Sequence, residues 1–282
     1  MTARPIALLG SVPLASAAEV LDASARTLGQ TLKRYPDGET GARANWIAWQ
    51  RRAFDAVPQL EPTGTRERVY QLTPPLQLRA GADASDIRFG ELGFAREALA
   101  AWDIFRASKE AGGIRPDARL LVALPTAWAP VYSFTAYSAQ QAVHERYEAA
   151  LLDELAHLCA AIPADALAVQ WDVATEMSWW ERLYPATFED IEQGVIGSVA
   201  RLCNAVPAGV ELGVHLCYGS MNNRHWKEPA DTANLVAVAN GLFGALKRKI
   251  DFLHFPVPVN RDDPPYFAPL AQRRLPPSCE FF

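Results

Sequence analysis

Cysteine is scarce in this 282-residue chain: four residues, Cys159, Cys203, Cys217 and Cys279, set far apart. That spacing excludes the disulfide-dense framework of a small secreted scaffold. Basic charge is not in excess either. Lys and Arg number 27 against 32 Asp and Glu, for a net charge of −5. No basic stripe stands out, which argues against a nucleic-acid partner. Long apolar runs are missing. The run at 6–9 is too short for a signal-peptide core, and no stretch approaches the length of a membrane span. A cytoplasmic protein is expected. There is no G-x-S-x-G elbow, no phosphate-cradling P-loop, and no G-x-G-x-x-G after a strand.

The remainder is ordinary globular material, half hydrophobic and a fifth charged. Its length is ample for a substantial core. Short apolar runs alternate with longer amphipathic ones. The runs at 6–9, 32–35, 120–124, 167–171, 210–215 and 250–255 read as strands. Helical patterns cover 17–28, 44–54, 89–111, 140–159, 188–203 and 232–246. In the fourth of these, Val143, Tyr147, Leu151, Leu155 and Leu158 recur at helical spacing. Such alternation predicts an α/β fold with a parallel sheet and helices outside, a TIM-type (β/α)8 barrel in a single domain over 1–282. The segment 58–84, rich in Pro, Gly, Thr and Arg, breaks the rhythm and reads as an excursion, a hairpin over one barrel end. Six strands and the beginning of a seventh at Cys279-Glu280-Phe281-Phe282 are legible, where eight would close a barrel. Either the last strands are lacking from this chain or the fold closes differently. An open apolar edge would favour a homo-oligomer.

In a barrel the chemistry belongs at the C-terminal strand ends. Polar residues collect there: Ser11; Asp37 and Glu39; Thr126; Asp172, with Glu176 shortly after; His215 and Cys217; His254. His215 and Cys217 stand two apart on a strand, so both side chains leave the same face. An imidazole nitrogen and a sulfur would then converge as a soft divalent metal requires. Each residue also has a plainer reading. A lone H-x-C pair can be accidental, Asp37-Gly38 is a turn dipeptide, Ser11 can cap a turn, and Trp179-Trp180 suits packing. His144 and His157 fall in a helical pattern, where a surface or packing role is expected. Cys159 and Cys203 read as small buried hydrophobes. Asp172 ends an apolar strand, so its carboxylate must be solvated, paired or functional. Loop residues Arg224, His225, Trp226 and Lys227 could hold an anionic group or simply be exposed.

These elements together resemble the catalytic domain of cobalamin-independent methionine synthase. Gly10-Ser11-Val12-Pro13 is similar to its G-S-[FV]-P element. Asp37-Gly38-Glu39, with Arg43 following, is similar to its D-G-E element. The helix from Tyr147 to Leu158, Gln170-Trp171-Asp172 and His215-Leu216-Cys217-Tyr218 match further elements in order across most of the chain. The resemblance implies a TIM barrel of the group that includes uroporphyrinogen decarboxylase. It implies a zinc-dependent methyltransferase acting on a small thiol such as homocysteine, with methyltetrahydrofolate as methyl donor. His215 and Cys217 would be zinc ligands. Ser11, Glu39 and Asp172 would hold the amino-acid part of the thiol substrate, and Glu39 and Asp172 would be the catalytic carboxylates. The chain departs from the pattern in two places. Val173 stands where the family has Glu, and His254 is the nearest match to a glutamate ligand. A diverged barrel enzyme with other carbon–sulfur or lyase chemistry, and a catalytically inactive or truncated paralogue, remain alternatives.

Overall fold

The computed structural model describes residues 6–64, 73–219 and 225–282. It divides into two compact units, Met1–Ala168 and Val169–Phe282.

In the first unit, strand β1 (Arg34–Pro36) is followed by a hairpin, β2 (Leu60–Pro62) and β3 (Leu76–Leu78), and by β4 (Arg119–Pro125). β1 and β4 pair in parallel, Tyr35 opposite Leu120. The run expected as a strand at 6–9 forms no regular strand; isolated parallel bridges join Ile6 to Leu32 and, just beyond the run, Ser11 to Gly38. β2 and β3 pair antiparallel, Glu61 opposite Gln77, so the 58–84 excursion contains the expected hairpin. Its residues 65–72 lie outside the described set.

Helices of this unit are α1 (Ala17–Leu28), α2 (Arg51–Asp55), α3 (Phe94–Glu110), α4 (Trp128–Phe134) and α5 (Gln140–Ala161). α1 begins where the Ser16 side chain accepts the Glu19 N–H, and stops at Gly29, whose φ of 46° lets the chain turn away. α3 starts five residues later than its pattern. Gly93 precedes it in the left-handed region and offers no side-chain cap. A distant group takes that role: the buried Glu154 carboxylate of α5 accepts N–H bonds from Leu92 (2.8 Å), Gly93 (3.0 Å) and Ala95 (2.6 Å). Phe54, stacked on Tyr147 at 5.1 Å, and Phe105 anchor the core.

Strand β5 (Leu167–Val173) runs through the boundary and is buried along its whole length. The second unit continues with α6 (Thr175–Trp180), α7 (Ile191–Ala205), β6 (Glu211–Leu216), α8 (Ala233–Ala245), β7 (Phe252–His254), α9 (Pro264–Phe267) and β8 (Glu280–Phe281). β6 pairs with β7, and β7 with β8, all in parallel. The Cys279–Phe282 segment thus carries the strand expected of it. α7 is capped by Asp190, which accepts the Gln193 N–H. Trp171, Trp179, Leu212, Val214 and Leu242 fill the core. Trp179 meets the Phe188 ring edge-on, the packing role expected of it. The strand–helix succession is that of a TIM-type barrel in part: outside the hairpin, the described residues supply six strands. Among them no helix is long and apolar enough to cross a membrane.

Candidate functional site

In the first unit, the turn after β1 builds a carboxylate cluster. Asp37 accepts the Glu39 backbone N–H at 2.9 Å through one oxygen, and Arg43 at 2.8 Å through the other. Asp37 is therefore the turn former the dipeptide suggested, and it also aims its neighbour. Glu39 sits at φ +49°, unusual for a residue with a side chain, and accepts the Ser11 hydroxyl. Two of the expected substrate-binding residues, Ser11 and Glu39, are thus in direct contact. Loss of water around Glu39 pushes its carboxyl up, and the Asp37 charge adds to this; the Ser11 hydrogen bond and Arg43 oppose it without cancelling it. Gly10 and Gly38 leave room for the turn. A Cβ on Gly10 would stand 3.5 Å from Glu39 Oε2, and one on Gly38 would stand 2.5 Å from Val20 Cγ2.

In the second unit, β6 and β7 bring His215 and His254 opposite one another in register. Their Nδ1 atoms are 2.8 Å apart, so one ring donates and the other accepts. Desolvation lowers both rings, His215 to about 3 with a further contribution from His254, and His254 to about 4. Both are neutral imidazoles at pH 7, the form that ligates metals. Cys217 lies just past the end of β6, its backbone N–H bonded to Val173 O at 3.0 Å. Its sulfur accepts the Gly219 N–H at 3.2 Å. Burial pushes this thiol up to about 12; the Gly219 bond opposes the rise and the Asp172 charge adds to it. Asp172, nearly buried, accepts Gln170 Nε2 at 2.8 Å.

As a zinc site this set fits in kind, two neutral imidazoles with a thiol close in sequence, but not in arrangement. Among the described residues, no three of His, Cys, Asp and Glu stand together as metal ligands would. A catalytic zinc needs three protein ligands, and what the strands hold together here is a two-nitrogen pair.

His144 and Cys203 keep the roles expected of them, while Cys159 and Lys227 do not. His144 is buried and lies flat against Trp128, ring centroids 3.7 Å apart. Cys203 is the buried hydrophobe expected, whereas Cys159 is half-buried. Lys227 is committed to Glu181 at 2.7 Å, which removes it as a free anion holder. Arg224 lies outside the described residues. Glu181 had no sequence signal: it follows Trp179-Trp180 in a stretch read only as packing.

No known protein family matches the chain, and no curated protein does. Its fold is nevertheless shared. A solved structure from Listeria monocytogenes, provisionally assigned as a vitamin-B12 independent methionine synthase, superposes with a TM-score of 0.53 at 13% identity. That match covers 94% of this chain and 67% of the other. A second structure, TcOYE with pHBA, reaches a TM-score of only 0.36 at 10% identity, covering 97% and 84% of the two chains, and bears no weight.

Proposed function

We propose that this chain is an enzyme of small-thiol chemistry, transferring a methyl group to a thiol such as homocysteine. Two things support the reading: the methionine-synthase-like fold, and the sequence elements that end β6 and β7 in His215, Cys217 and His254. The observation that carries it is the His215–His254 pair, two neutral imidazoles in register at adjacent strand ends. By resemblance to the family, zinc would be held by these two nitrogens and Cys217, which would have to gather from the arrangement seen here, where the imidazoles bond to each other. When bound, zinc lowers the pKa of a coordinated thiol so that a thiolate is the nucleophile at neutral pH. Asp172, on the same unit, would offer its carboxylate to the ammonium group of such a substrate. Separately, Glu39 offers a second carboxylate, aimed by Ser11, Asp37 and Arg43. The methyl donor is methyltetrahydrofolate in the family that the sequence resembles, and is part of this proposal.

A second reading has its own support. The direct Nδ1 to Nδ1 contact, with no third ligand gathered beside it among the described residues, favours a diverged enzyme on the same scaffold that works without zinc. Elemental analysis separates the two. Protein purified without chelators or a histidine-rich tag should carry about one zinc per chain, as a single site requires, and the Cys217→Ser and His254→Ala variants should carry little. Folded parent protein with no zinc, in buffer supplied with it, would discard the methyltransferase reading in favour of the second.

A further inference from the structure

Glu181 lies just after α6, and its side chain is 3% exposed. Both of its oxygens are taken. Oε1 accepts the Tyr218 hydroxyl at 2.8 Å, and Oε2 accepts Lys227 Nζ at 2.7 Å. The side chain of Asn234, in the first turn of α8, bonds to it as well. Burial alone would push this carboxyl up; the three donors outweigh burial and leave it below the usual glutamate value. Tyr218, fully buried, is the residue after Cys217. Lys227 follows Trp226, whose backbone N–H returns to Tyr218 O at 2.9 Å. The Trp226 indole rests on Gly219, at φ +75°, where a Cβ would stand 2.0 Å from the indole nitrogen. One buried carboxylate therefore ties down the chain as it leaves the Cys217 strand end and again as it comes back.

We propose that Glu181 is a positioning residue for the Cys217 thiol, acting through Tyr218 and Lys227 to keep the sulfur turned in toward the Gly219 N–H. The role rests on the reading of Cys217 as a site residue. A buried carboxylate holding a fully buried tyrosine hydroxyl is a costly feature to keep for packing alone, since both groups are desolvated, while the Lys227 charge that balances it stays partly exposed. It also occurs one residue from the strand-end thiol, where a small shift of backbone redirects the side chain. Cys217 and Tyr218 are consecutive residues just past the end of β6, and the Tyr218 side chain and backbone oxygen are both held, by Glu181 and by the Trp226 N–H. Holding the tyrosine at both points restrains the backbone that carries the sulfur.

The test is the alkylation rate of each cysteine in the full-length chain by iodoacetamide, resolved by peptide mass mapping. It needs no metal, methyl donor or turnover, so it reads independently of the zinc analysis. Glu181→Ala should speed Cys217 by about tenfold through local opening, with Cys203 and Cys279 unchanged. Glu181→Gln, which keeps an acceptor for Tyr218 and loses the charge, should fall between. An unchanged Cys217 rate in folded Glu181→Ala protein overturns the proposal. If instead Cys203, Cys217 and Cys279 speed up together, the whole second unit has loosened. Tyr218→Phe, which removes a single oxygen, then decides. A selective rise at Cys217 supports the role, and an unchanged rate overturns it. Zinc loss in the parent with a selective Cys217 response would sink the methyltransferase reading and leave the positioning role standing.

Discussion

His215 and His254 face each other in register across two parallel strands, their Nδ1 atoms 2.8 Å apart. Two histidines so placed make the fold sensitive to acid. An unfolded histidine takes up a proton near pH 6.5; in the folded chain these two resist until about 3 and about 4. The unfolded state binds more protons as pH falls, so their contribution is complete above pH 6.5 and is lost progressively toward pH 4. Urea unfolding of the parent should weaken between pH 7 and pH 4.5. In the doubly substituted His215→Asn, His254→Asn protein that loss should shrink by on the order of 2 kcal/mol, allowing for partial exposure. An identical pH slope in both proteins would show that the pair titrates normally.

The register that makes the pair depends on Gly213. It stands opposite Phe252, and a Cβ there would lie 2.0 Å from the ring. The phenyl group occupies the space a side chain would need, which holds β7 close against β6. Gly213→Ala should destabilise by about 1–3 kcal/mol, the usual cost of overpacking, and should separate the two imidazoles. Adding Phe252→Leu should restore part of the loss. Urea midpoints give the energies, and histidine ring NMR signals report whether the contact survives. No recovery in the double variant would mean that the ring is not what the methyl group meets.

Much of the fold was legible because its cues were local. α1 spans the predicted 17–28, with Ser16 and Gly29 at its ends; α5 and β4 to β7 lie where apolar spacing placed them, within a few residues. The misreadings share a cause, which is that a partner distant in sequence decides. α3 starts at Phe94 because Glu154, some sixty residues on, caps it. The region 44–54 splits into short 3-10 turns and the brief α2. The candidate site was read as a set of strand-end residues, and of these Ser11 and Glu39 do meet. What strand alternation could not supply was the β6–β7 register. That register turns His254 from a candidate third ligand into the direct hydrogen-bond partner of His215.

The Glu154 cap has its own consequence. Its two oxygens receive three backbone N–H groups at the start of α3, all buried. Glu154→Ala would leave those donors without partners and should cost about 3 kcal/mol. Glu154→Gln keeps the shape but turns an amide NH2 toward N–H donors, so it should recover little. Urea unfolding measures the energies, and hydrogen exchange at Leu92, Gly93 and Ala95 should speed up locally. A loss below about 1 kcal/mol, the range of an ordinary single hydrogen bond, would mean that water takes over the cap.

Asp172 and Cys217 give the prediction closest to the chemistry. Burial is the main reason the thiol sits at about 12, but the Asp172 charge adds to it. A negative neighbour disfavours a thiolate, so removing that charge should favour it. Asp172→Asn keeps an oxygen able to accept the Gln170 amide, which limits the change to charge. Alkylation of Cys217 at pH 8 should then rise about three- to tenfold, the effect of half to one pKa unit. Cys203 provides the control: it is also pushed up to about 12, by burial and without a carboxylate, and its rate should hold. In the methyltransferase reading the outcome has a further meaning. A site that keeps its own thiol protonated beside a carboxylate needs an external charge to make a thiolate. Zinc added to the Asp172→Asn protein should therefore raise the thiolate fraction less than it does in the parent, where the carboxylate leaves more to overcome. Equal zinc responses in the two proteins would separate Asp172 from the thiol altogether.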